Sequence, residues 1–119
     1  MPTFAPVYDS ARGLLWNYSD ENIKNIFKQT GKKVVNYVEE ASPRISIEDN
    51  TKANHFQLIN FIKKFNKEYE IIVNELASTE KEENVLNMLN REIFPLFIKE
   101  RAELITVIIK TRFKKIRDL

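Results

Sequence analysis

In residues 99–119 the apolar side chains Leu104, Ile105, Ile108, Ile109, Phe113 and Ile116 recur three or four positions apart, with Glu, Lys and Arg around them. A helix of 3.6 residues per turn gathers such a set onto one face. The inner run Thr106–Val107–Ile108–Ile109 is β-branched and by propensity alone suits a strand. Its flanks hold charged helix formers and no turn residue, which favours a helix. The same period recurs upstream, and glycine is confined to Gly13 and Gly31, so tight turns have little material. The expectation is an all-α fold, a compact bundle of about five or six helices with a short extended N-terminal segment.

The boundaries can be placed. Ser19 before Asp20 and Glu21 is a capping hydroxyl followed by acids, the start of a helix carrying Ile23, Ile26 and Phe27. Gly31 suits its end. A second helix carries Val34, Val35, Tyr37 and Val38, and Pro43 stops it. Residues 42–54 are irregular, and Arg44–Ile47 alternates in a way that fits a short strand or an extended loop. Thr51 or Asn54 caps the next helix, whose stripe is Phe56, Ile59, Ile62 and Phe65, widened by Leu58 and Phe61. The stripe continues through Tyr69, Ile72, Val73 and Leu76, and Asn66 is the place for a break. Ser78 and Thr79 begin a helix with Glu80, Glu82 and Glu83 near its start and Val85, Leu86, Met88 and Leu89 as its stripe. Pro95 interrupts before the final helix from about Lys99.

Composition excludes several chemistries. Without cysteine there is no disulfide, thiol nucleophile or cysteine-based zinc site. With His55 as the one histidine, a multi-histidine metal centre within one chain is impossible. No apolar run reaches the length of a membrane span, and the N-terminus lacks a signal-peptide pattern. The simplest expectation is a soluble, cytoplasmic protein with no membrane contact. Residues 98–119 hold seven basic and three acidic side chains and so the whole of the net positive charge of +2. Lys110, Arg112, Lys114, Lys115 and Arg117 complement the dipole at a helix C-terminus. With Phe113 as the sole interleaved aromatic, direct nucleic-acid contact is not expected.

The segment "FAPVYDSARGLLWN", Phe4–Asn17, stands apart. It has β-type residues, a mid-run proline and one acid, Asp9, and a short strand there would need a partner for its backbone hydrogen bonds. Asp9 suits an Asx turn. The alternative is a cation ligand where nucleotide phosphates supply the other oxygens, since magnesium takes one or two carboxylates. Arg12 pairs with Asp9, with a phosphate, or with a structural acid. Tyr8 packs or hydrogen-bonds locally, Trp16 belongs to the core, and His55 caps or packs more readily than it catalyses. No P-loop, dinucleotide fingerprint, hydrolytic triad or paired carboxylate stands out.

"APVYDSARGLLWN", Ala5–Asn17, resembles the HipA-like serine/threonine kinase family, in which an "APxYD" segment carries the magnesium-binding acid. "SPRI", Ser42–Ile45, and "NHFQLI", Asn54–Ile59, are similar to that family's downstream pattern. The resemblance implies that Asp9 is a Mg²⁺ ligand holding ATP through its phosphates, with Tyr8 and Arg12 beside it. Asp9 is followed by Ser10 and Ala11 in place of the Phe-Gly of ordinary protein kinases, as in the HipA-like group. The phosphate-covering loop, the phosphate-pairing lysine and the catalytic-loop Asp and Asn precede "YD" in that family, and none stands in these 119 residues. The resemblance therefore implies an extended YD-bearing segment at 1–18 and a helical, C-lobe-like domain at 19–119. No catalytic residue is expected in the isolated chain, which would be silent alone and would use Mg²⁺ and ATP only with the missing kinase N-terminal portion.

A second expectation is a stand-alone helical interaction module that binds a protein partner or forms a homo-oligomer. Either role suits an exposed apolar surface around Phe4, Val7, Leu14 and Trp16.

Overall fold

The computed structural model describes residues 14–15, 17–28, 32–41 and 47–119. Among them are six α-helices: α1 (Asp20–Lys28), α2 (Lys32–Glu40), α3 (His55–Phe65), α4 (Lys67–Leu76), α5 (Thr79–Glu92) and α6 (Lys99–Arg117), with a 3₁₀ turn at Phe94–Leu96 before the last. No strand occurs among the described residues. The all-α bundle is as expected.

Local chemistry sets the starts. The Ser19 hydroxyl accepts from the Asn22 N–H at 3.2 Å and opens α1. Asn54, not Thr51, caps α3. Its side chain accepts from the Gln57 N–H at 2.8 Å while the Gln57 side chain accepts from the Asn54 N–H at 2.9 Å, a reciprocal capping box. Asn66 has extended backbone, ends α3 and caps α4 through the Tyr69 N–H at 3.0 Å. Ser78 does the same for α5 through Lys81. Pro95 enters the 3₁₀ turn, where its missing N–H leaves no helical bond unmade.

α6 is the central element, and α1, α2, α3 and α5 all pack on it. Two adjacent rows of its surface feed two apolar clusters. Leu104 and Ile108 join Leu15, Ile23, Val34, Val38 and Phe56. Ile105 and Ile109 join Leu86 and Phe94. Residues four apart lie one above the other on a helix, so each row serves one cluster. The β-branched run at 106–109 is helical because both rows are buried only in that conformation. Phe113 and Ile116 flank the clusters as partly buried side chains.

Several apolar positions are more exposed than their spacing suggests. Phe65, Phe61, Val35 and Met88 are 69, 41, 42 and 39% exposed. α4 packs chiefly on α3 and buries none of its residues.

The expected stop at Gly31, the stop at Pro43 and most of the extended segment at 1–18 lie outside the described residues. Where that segment is described, Leu14 and Leu15 form a turn rather than extended chain. Arg44–Ser46 also lie outside. Ile47 closes a tight turn with Asn50 through reciprocal backbone bonds of 2.9 and 2.8 Å, with Glu48 at φ 51°.

Candidate functional site

The clearest constellation holds the C-terminal end of the Ala5–Asn17 motif against the bundle. Arg101 lies on α6 one turn before Leu104 and Ile105, and so on the buried side of the helix. Its side chain is 13% exposed. A guanidinium offers five donors in a fixed plane, and here they reach three residues. Nη1 donates to the Leu15 carbonyl at 3.3 Å and Nη2 to the Tyr18 carbonyl at 2.5 Å. Nε and Nη2 both donate to Asp20 Oδ1 at 3.1 Å. The Phe97 ring lies 5.9 Å from the guanidinium carbon, within cation–π range.

From the other side, the Tyr37 hydroxyl on α2 accepts from the Leu15 N–H at 3.1 Å. The Leu15 carbonyl also accepts from the Tyr18 N–H at 3.1 Å, closing a turn. Leu15 is thus fixed at both its N–H and its carbonyl, with its side chain 3% exposed.

The clamp holds strained backbone. Leu14 and Leu15 have φ of 51° and 66°, where a Cβ crowds the following carbonyl at about 1–2 kcal/mol per residue. Two successive leucines stay there because burial and three hydrogen bonds over-determine Leu15. Strain of this kind concentrates where a segment must be aimed. Leu14 packs against both clusters and lines a groove of about 420 Å³ with Leu89, Ile93, Phe94, Phe97 and Arg101.

Asp9, Tyr8 and Arg12 lie outside the described residues, as does Trp16. His55 is the first residue of α3, exposed, with Nδ1 3.0 Å from the Ala41 carbonyl. That bond, with the N–H donating, ties the chain after α2 to the start of α3. No group of three His, Cys, Asp or Glu suited to a metal ion occurs among the described residues.

The basic end of α6 is largely engaged in ties within the bundle. Lys115 pairs with Glu39 of α2 and lies 5.2 Å from the Phe56 ring centroid. Arg117 lies 3.6 Å from Glu82 and donates to the Ala77 carbonyl at 3.1 Å. Lys114 pairs with Asp118 at 3.6 Å. The Lys115 and Arg117 contacts make the cluster a fastener between helices as well as a complement to the dipole.

Neither Arg101 nor Tyr37 stands out as a functional residue from the sequence alone. A signal was present: Arg101 stands one turn before both Leu104 and Ile105, a charged residue in register with the apolar rows. No helix among the described residues is long and apolar enough to cross a membrane. No family model, curated protein or solved structure matches the chain.

Proposed function

We propose that the chain is the helical C-terminal part of a HipA-like serine/threonine protein kinase. In that role Asp9 is the Mg²⁺ ligand that meets the nucleotide phosphates, and the bundle is the scaffold that holds the YD segment. The observation that carries this reading is the Arg101–Tyr37 clamp on Leu15, six residues after Asp9 in the same motif. A carboxylate that meets a metal–phosphate complex must be held within a fraction of an ångström to stabilise transferring charge. A clamp on backbone atoms, with two leucines kept at positive φ, supplies a fixed end for such a segment. The 119 residues contain no phosphate-covering loop, phosphate-pairing lysine or catalytic-loop Asp, so the chain alone is silent and its principal partner is the kinase portion that carries them.

The DNA immediately upstream of Met1 tests the reading. An in-frame kinase N-terminal portion supports it, and unrelated sequence closed by a stop codon refutes it. In the joined protein, Asp9→Asn abolishes magnesium-dependent phosphotransfer. Phosphotransfer by the 119-residue chain alone, lost in Asp9→Asn, would refute the claim that it is silent.

One observation favours a second reading, a helical interaction module derived from a kinase lobe. α4 buries none of its residues and leaves Ile71, Ile72 and Leu76 largely open. Contiguous exposed apolar surface of this kind marks a binding face.

A further inference from the structure

We draw no further inference here: the strongest candidate, the row of rings Phe61, Phe65 and Tyr69 across the α3–α4 junction beside a groove lined by Lys63, Lys64 and Lys67, carries nothing because Lys63 is held by the Leu119 carbonyl and Lys67 by Glu70, and nothing in the structure shows what covers the exposed rings.

Discussion

Replacing Arg101 with alanine is the sharpest test of the clamp. The change removes four hydrogen bonds: two to Asp20 Oδ1 and one each to the carbonyls of Leu15 and Tyr18. They do not count equally. Asp20 is 59% exposed, and an ion pair to such a group contributes about 0–1 kcal/mol. The carbonyl bonds come from a charged donor that is mostly buried, and bonds of that type contribute roughly 1.5–3 kcal/mol each. Two effects reduce this. Leu15 keeps its bond from the Tyr18 N–H, and water reaches the half-buried Tyr18. Release of the positive-φ leucines returns part of about 1–2 kcal/mol each. The expected net loss for Arg101→Ala is about 2–4 kcal/mol, most of it from the two carbonyls. Arg101→Lys keeps the charge but offers no fork able to span three acceptors, so about half that loss is expected. Asp20→Asn should cost under about 1 kcal/mol. Urea unfolding followed by circular dichroism gives all three values by linear extrapolation. Two results refute the reasoning: an Arg101→Ala protein within about 0.5 kcal/mol of the parent, or an Asp20→Asn protein as destabilised as Arg101→Ala. The second would put the energy in the exposed ion pair instead of the backbone.

Three further outcomes are expected. Ile108 is 1% exposed between packed helices, so Ile108→Ala should lose about 2–5 kcal/mol in the same urea titration. Asn54→Ala removes half of the capping box at α3 and should lower stability by about 1 kcal/mol, whereas Thr51→Ala should leave the urea midpoint where it is. Asp9→Asn, under the magnesium-ligand reading, should leave the melting curve of the isolated chain nearly unchanged; a loss above about 2 kcal/mol would point to a structural turn or buried ion pair.

The parts of this fold that were legible in the sequence are those decided within a few residues. Ser19, Asn54, Asn66 and Ser78 stop or start helices because a short polar side chain meets an N–H two or three positions on. That requirement is written in neighbouring letters. The two rows of α6 were legible for the same reason: their spacing admits one regular conformation that buries them. Periodicity does not say what covers a stripe. Phe61, Phe65, Ile72 and Leu76 continue the α3–α4 pattern, yet α4 meets too little of the bundle to hide its share. Arg101 was missed because a charged residue on an apolar row declares its purpose only once the carbonyls it reaches are known. Those carbonyls lie more than 80 positions away in sequence. The Mg²⁺ role proposed for Asp9 comes from the resemblance of its motif.

The position of α6 in the chain has a consequence for synthesis. Four earlier helices pack on it, and both apolar clusters take two of their members from it. While α1 to α5 leave the ribosome, the surface that would order them has not yet been made. At roughly 5–20 residues per second, the 19 residues of α6 take about 1–4 s to translate. Through that interval the nascent chain carries the apolar faces of Ile23, Val34, Val38, Phe56 and Leu86 with no final helix to receive them. Folding must then follow the emergence of α6, and chaperone occupancy should fall only after it has cleared the exit tunnel.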